Sequence, residues 1–146
     1  MSDTALFAPR ERRDGVPVKS LLIVEDNSDM LEMFVEMLRS DFSIVGTLST
    51  GGAALREASS LNPDIIMLDV SLGDMSGFVV AEHLQKAGCA ARIVFVSVHE
   101  SFSFVNAAQR LGASGYIFKS QICRDLLNAL RNASMGGQFV SSKPDE

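Results

Sequence analysis

The stretches "DIIMLD" (64–69) and "RIVFVSV" (92–98) are apolar at nearly every interior position and show no polar alternation. A strand with one face in water alternates, whereas a strand apolar throughout needs cover on both faces, as in a parallel sheet between two helix layers. Parallel neighbours in turn require long crossovers, usually helices. The rest of the chain matches that demand. Short apolar runs predict strands at 20–25, 42–48, 64–69, 92–98 and 115–119, and amphipathic segments predict helices at 28–39, 51–60, 77–87, 102–111 and 122–134. In the first helix Met30, Phe34, Met37 and Leu38 recur at spacings of three and four, with Glu32, Glu36 and Arg39 elsewhere, which is a core-facing stripe. Gly46, Gly88, Gly112 and Gly115 are expected in connections, and Gly136 with Gly137 is expected to close the last helix with a left-handed cap.

With 146 residues, 47% hydrophobic and 21% charged, the chain suits one globular domain with a real core. A net charge of -5 offers no electrostatic footprint for a phosphate backbone, so direct nucleic-acid binding by this chain is not expected. Cys89 and Cys123 lack C-x-x-C spacing and read as reduced packing thiols. Residues 1–18, with Pro9, Gly15 and Pro17 among scattered charges, read as a flexible arm, and 138–146 as a polar C-terminal tail after a domain at 19–137. The first twenty residues contain no continuous apolar core and no later run is of membrane-spanning length, so neither a signal peptide nor a membrane segment is expected, and the location expected is cytoplasmic.

In an open parallel sheet all strand exits lie along one edge, where ligands bind. Glu25 and Asp26 follow the first strand, Asp69 ends the third, Ser97 the fourth and Lys119 the fifth. Three carboxyls in a small volume repel unless protonation or a cation relieves them, and an all-oxygen donor set favours a hard ion such as Mg2+. Asp69 could then act as a nucleophile toward phosphorus, with Mg2+ and Lys119 neutralising the transferred group and the Ser97 hydroxyl bonding a remaining oxygen. Each residue also has a plainer role. Glu25 and Asp26 could begin a helix, favoured by its dipole; Asp69 could be a capped loop residue, Ser97 could simply end a strand, and Lys119 could be solvated. Tyr116, the only tyrosine, could be a packed ring with its hydroxyl satisfied. His83 has no second His or Cys at i+3 or i+4 and reads as a surface side chain.

"LLIVEDN", "DIIMLDVSLGDMSG", "RIVFVSV" and "GASGYIFK", in this order and spacing, resemble the receiver domain of two-component response regulators from Lys19 to about Gly137. The resemblance implies a doubly wound (βα)5 flavodoxin-like α/β fold with a five-stranded parallel sheet in order 2-1-3-4-5. It implies that Asp69 accepts a phosphoryl group from a histidine kinase or phosphotransfer protein, and that Glu25, Asp26, Asp69 and the Ser71 backbone carbonyl serve Mg2+. Ser97 and Lys119 carry over as phosphoryl contacts, Ser97 and Tyr116 as switch residues, and Ser71 and His99 as positions that set phosphoryl lifetime. Such a protein is no enzyme beyond phosphoryl transfer to, and hydrolysis from, its own aspartate. The chain departs from the family pattern at Gly73 and Ser120, both in place of proline, and at Val98, in place of a small residue.

Phe104, Ala107, Ala108 and Leu111 share one face of the fourth helix and leave Phe102 off the core. Receivers commonly signal through the fourth helix, fifth strand and fifth helix, so Phe102 is expected in a contact with a downstream protein or a second copy. "LLNALRNASMGGQFVS" resembles the last receiver helix and exit of regulators with a helix-turn-helix output, while "SKPDE" ends the chain. Two output readings stand: a stand-alone receiver, or the receiver half of a DNA-binding transcription regulator whose output domain is absent from this chain. An aspartate-nucleophile phosphatase of the haloacid-dehalogenase type would need a second Asp where Ser71 stands. A flavin binder would want a phosphate-cradling first loop instead of the acidic "EDNSD".

Overall fold

The computed structural model describes residues 18–144. Strands β1 (Ser20–Val24), β2 (Ser43–Leu48), β3 (Ile65–Asp69), β4 (Arg92–Ser97) and β5 (Gly115–Phe118) alternate with helices α1 (Ser28–Leu38), α2 (Gly51–Leu61), α3 (Gly77–Lys86), α4 (Phe102–Arg110) and α5 (Ile122–Ser134), followed by β6 (Phe139–Val140). One parallel sheet runs in the order β2-β1-β3-β4-β5-β6. Successive residues of a strand face opposite sides, which is why the strands had to be apolar throughout. Leu22, Val24, Ile66, Leu68 and Phe95 pack with Ala54, Ala58, Val80, Leu84 and Ala108 from α2, α3 and α4. Leu21, Ile23, Ile65, Met67 and Val94 pack with Phe34 and Leu38 of α1 and Leu126, Ala129 and Leu130 of α5.

The sheet departs from the expected five strands. β6 pairs in parallel with β5, and residues 138–144, expected as polar tail, contain it. The outer edge of β5 would otherwise present unpaired backbone groups; Phe139 N donates to Ser114 O at 3.0 Å and Ser141 N to Tyr116 O at 2.9 Å. Ser141 is buried, its hydroxyl donating to Asp125 Oδ2 at 2.7 Å and accepting from Phe118 N at 3.1 Å. Arg124 holds Asp125 through two bonds, at 2.7 and 2.9 Å, and donates a third to Ser142 O at 2.8 Å. These bonds, with that from Arg124 the foremost influence, keep the Asp125 carboxyl below its usual range despite the opposing effect of burial. Of the expected arm at 1–18 all but Val18 lies outside the described residues, as do 145 and 146 of the tail.

Three smaller expectations change. Gly46 and Gly115 lie inside β2 and β5, not in connections; a Cβ at Gly46 would come within 3.0 Å of Leu61 and 3.1 Å of Leu22, so the residue is small for close packing. Gly88, Gly112 and Gly136 do adopt positive φ, at 87°, 73° and 84°. Cys123 is an exposed thiol rather than a packing one, because Ile122, Leu126, Ala129, Leu130 and Ala133 form the buried face of α5.

Gly77 begins α3 directly against the end of β3, and a Cβ there would run into the Asp69 carbonyl oxygen and come within 2.9 Å of the Val70 Cα. Both obstacles are backbone and cannot swing aside. Gly77→Ala should therefore cost about 2–3 kcal/mol of stability. At Gly73 a Cβ would find its nearest neighbour, Asp26 Oδ2, at 3.9 Å, so Gly73→Ala should stay within about 0.5 kcal/mol. Urea denaturation of the two variants checks the contrast, and equal losses would contradict it.

Candidate functional site

At the end of β1 the Glu25 N–H still bonds Leu48 O of β2 at 3.0 Å, which draws its carboxylate into the sheet edge. Glu25 is 1% exposed, and Asp26, the next residue, is exposed. Asn27 then caps α1, its side chain accepting from Met30 N at 3.0 Å while its own N–H donates to Glu25 Oε2 at 3.1 Å. Asp69, the last residue of β3, is 3% exposed and accepts from Ser71 N at 3.0 Å through Oδ1. Lys119 leaves β5 in a single 3-10 turn, Lys119–Gln121. Its Nζ lies 3.1 Å from Asp69 Oδ2 and 3.1 Å from Glu25 Oε1.

One ammonium thus serves two buried carboxylates, with a third beside them. Burial is the foremost reason that the Glu25 carboxyl is pushed up to about 7; the Asn27 N–H opposes the rise, Asp69 adds to it, and Lys119 offsets part of it. For Lys119 burial works downward, but the two carboxylates outweigh it and raise its pKa above the usual lysine value. Glu25 Oε1 is buried without a hydrogen bond, its ion-pair partner being Lys119 Nζ at 3.1 Å. One carboxylate oxygen each from Glu25, Asp26 and Asp69 lies within 4.8 Å of the others. An all-oxygen set with surplus negative charge and an orphaned oxygen suits a hard divalent cation such as Mg2+.

The sheet register sets the other expected residues. Asp69 pairs with Val96, and Ser97 pairs with Phe118, so Ser97 ends the strand between Asp69 and Lys119. Ser97 is fully buried, and its hydroxyl accepts from His99 N at 2.9 Å. Tyr116 has the packed ring of its plainer reading, its hydroxyl donating to His99 O at 2.6 Å. Burial raises its pKa, with a hydrogen bond to Ser97 opposing and Glu100 reinforcing the rise. The His99 ring stacks on Phe104 of α4 with centroids 4.1 Å apart. Val98 and Phe102 are 64% and 80% exposed. Ser120 Oγ donates to Glu100 Oε2 at 2.6 Å, joining the loops after β4 and β5, and the Lys119–Ser120 peptide is trans. His83 is exposed, its Nδ1 2.9 Å from Val79 O.

Asp74 was not singled out from sequence. Its carboxylate accepts from Gly51 N at 2.8 Å and Gly52 N at 2.9 Å, the first two residues of α2. A lone acid in a loop has no periodicity to reveal it, and its partners lie more than twenty positions earlier.

A family model described as the response regulator receiver domain matches residues 21–131. The nitrate/nitrite response regulator protein NarL of Escherichia coli K12 is 34% identical over 125 residues, covering 84% of this chain and 57% of its own length. The uncharacterized transcriptional regulatory protein YvfU of Bacillus subtilis is 29% identical, over 83% of this chain and 62% of its own. The chain thus spans little more than half the length of these relatives. Among solved structures, a LuxR-family two-component response regulator from Aurantimonas sp. SI85-9A1 aligns with a TM-score of 0.78 at 26% identity, covering 84% of this chain and 89% of that one. The response regulator domain of Thermotoga maritima CheB aligns at 0.73 with 26% identity, over 87% and 99%.

The Glu25 carboxyl makes stability depend on pH. Its folded pKa of about 7 stands above the ordinary 4.5, so the native state binds the proton more tightly than the unfolded chain. Its contribution to stability is complete below about pH 4.5 and is lost as pH rises through about 7. In buffer with a chelator, the parent should lose stability relative to Glu25→Gln across that interval. Urea midpoints of both proteins at several pH values test this, and parallel curves would refute it.

Proposed function

The chain belongs to the response regulator receiver domain family, and we propose that Asp69 is the residue it phosphorylates, with a histidine kinase or phosphotransfer protein as donor. The observation that carries this reading is Lys119 Nζ 3.1 Å from Asp69 Oδ2, at the strand-exit edge where Glu25 and Asp26 also converge. In the transfer an Asp69 carboxylate oxygen forms a bond to phosphorus while the phosphorus–nitrogen bond of the donor phosphohistidine breaks. The nitrogen keeps the electron pair and takes up a proton, and no general base is needed on this chain because a carboxylate is already anionic. Glu25, Asp26, Asp69 and the Ser71 carbonyl would hold Mg2+, which when bound neutralises charge on the phosphoryl oxygens. Lys119 adds its ammonium, and the buried Ser97 hydroxyl donates to a phosphoryl oxygen. The chemistry is confined to this chain's own aspartate: water later cleaves the acyl phosphate, at a rate set by Ser71 and His99, two residues beyond Asp69 and Ser97.

A phosphoryl group brings nearly two negative charges and three acceptors. Moving a mostly inactive population to a mostly active one takes roughly 5 kcal/mol of differential stabilisation. Two or three charge-assisted bonds, each about 1.5–3 kcal/mol, are of that size. When Ser97 turns to the phosphoryl group the loop carrying His99 moves, and Tyr116, bonded to His99 O, follows. The change reaches α4 through the stack of His99 on Phe104, and the exposed Phe102 then contacts a downstream protein or a second copy across α4, β5 and α5. The longer relatives named as transcriptional regulators favour a chain that is the receiver half of such a regulator; a stand-alone receiver is the second reading. No helix among the described residues is long and apolar enough to cross a membrane.

Incubation with acetyl phosphate and Mg2+ should add one phosphoryl mass to the parent and none to Asp69→Asn, and Ser71→Ala and His99→Ala should change how long that mass persists. An unmodified parent would defeat the assignment. With a beryllofluoride phosphoryl mimic, sedimentation should shift toward dimer in the parent and less so in Phe102→Ser; monomer under all conditions would exclude the second copy as the partner.

A further inference from the structure

The loop between β3 and α3, residues 70–76, carries Ser71 and borders Asp69 and Asp26, so its position governs the site. Its ends are tied by Val70 N to Val96 O at 3.0 Å and Gly77 N to Val70 O at 2.7 Å. Toward its middle Ser71, Gly73 and Asp74 are all exposed, and Gly73 is so open that a Cβ would meet its first neighbour, Asp26 Oδ2, at 3.9 Å. Val70 and Leu72 are buried in the core and Met75 packs against it, but the exposed positions have no such hold. Two contacts join the loop to α2 instead. Asp74 accepts from Gly51 N and Gly52 N at 2.8 and 2.9 Å, and Met75 lies so close to Gly51 that a Cβ there would fall within 2.8 Å of its sulfur. The two N–H groups have no intrahelical partner, and the positive end of the helix dipole favours the carboxylate. Thr50, by contrast, caps the same helix from within, its hydroxyl accepting from Ala53 N at 3.0 Å.

We propose that Asp74 is a positioning residue for the acceptor loop, using the first turn of α2 as a fixed anchor that sets where the Ser71 carbonyl and the Asp69 carboxylate stand. This rests on the reading of Asp69 as phospho-acceptor and adds a residue that touches neither the phosphoryl group nor the metal. Asp74 and Thr50 each satisfy donors of one helix end, so their loss weakens the helix alike; Asp74 also holds the loop.

The experiment compares Asp74→Ala with Thr50→Ala in three readouts: hydrogen exchange of the Ser71 and Gly77 amides in metal-free protein, Mg2+ affinity by calorimetry, and the rate of phosphorylation by acetyl phosphate. Asp74→Ala should speed exchange at both amides, weaken Mg2+ binding about ten-fold, as loss of an orienting partner does, and slow phosphorylation by about as much. Thr50→Ala should lower the melting temperature comparably yet stay within about two-fold of the parent in affinity and rate. Asp74→Asn, which keeps one acceptor oxygen, should fall between, and it decides the comparison if Asp74→Ala does not fold. Parent-like exchange and Mg2+ affinity in the Asp74 variants, or equal losses in Thr50→Ala, would overturn the proposal. A parent that takes up no phosphoryl group would instead defeat the assignment of Asp69, leaving exchange and Mg2+ affinity to judge Asp74.

Discussion

Lys119 lies between Glu25 and Asp69, 3.1 Å from an oxygen of each, and the strand-exit edge is organised around that unequal pairing. Taking two carboxylates out of water costs several kcal/mol per ion, and one ammonium offsets only part of it. The remaining strain shows in the raised Glu25 pKa and the orphaned Oε1. A fold selected only for stability would replace Glu25 with a neutral residue. Retaining it makes the edge a standing sink for positive charge, which a proton or a divalent cation could supply.

The topology brings these groups together. β1 and β3 are neighbours, and β4 separates β3 from β5, so Glu25 and Asp69 arrive side by side while Lys119 reaches across one strand. Reach across 4.8 Å strand spacings suits a lysine and not a shorter cation. Around this group the loops are tied to rigid elements: Asn27 caps α1, Asp74 grips α2, and Gly77 lets α3 start against the Asp69 backbone. The frame keeps the carboxylates from relaxing apart.

All ten predicted strands and helices appear within a residue or so of their expected bounds. Buried parallel strands and amphipathic crossovers carry different hydrophobic periods over many residues, and such signals add up. Glu25, Asp26, Asp69 and Lys119 were legible for a related reason: acids and a lysine directly after apolar runs must gather once the strands are parallel. β6 was hidden because two residues, Phe139 and Val140, establish no period, and Ser141 reads as solvated until Asp125 and Phe118 N are seen to engage its hydroxyl. Asp74 and the Glu100–Ser120 bond were hidden because each joins residues some twenty positions apart, with no period to reveal the pairing. The exposure of Cys123 turned on the phase of α5, which a lone cysteine does not reveal.

β5 connects the site to the end of the domain. Lys119 follows it directly, Tyr116 bonds His99 O through its hydroxyl and Ser141 N through its carbonyl, and Phe118 N bonds the Ser141 hydroxyl. A displacement of β5 driven from Lys119 or Tyr116 would be transmitted to β6 through hydrogen bonds that Arg124 and Asp125 stiffen, while β2, on the opposite edge, meets the site through β1 and through the bond from Glu25 N to Leu48 O. Lys119 lies one residue beyond the strand that pairs with β6, so the β5–β6 edge is covalently continuous with the site.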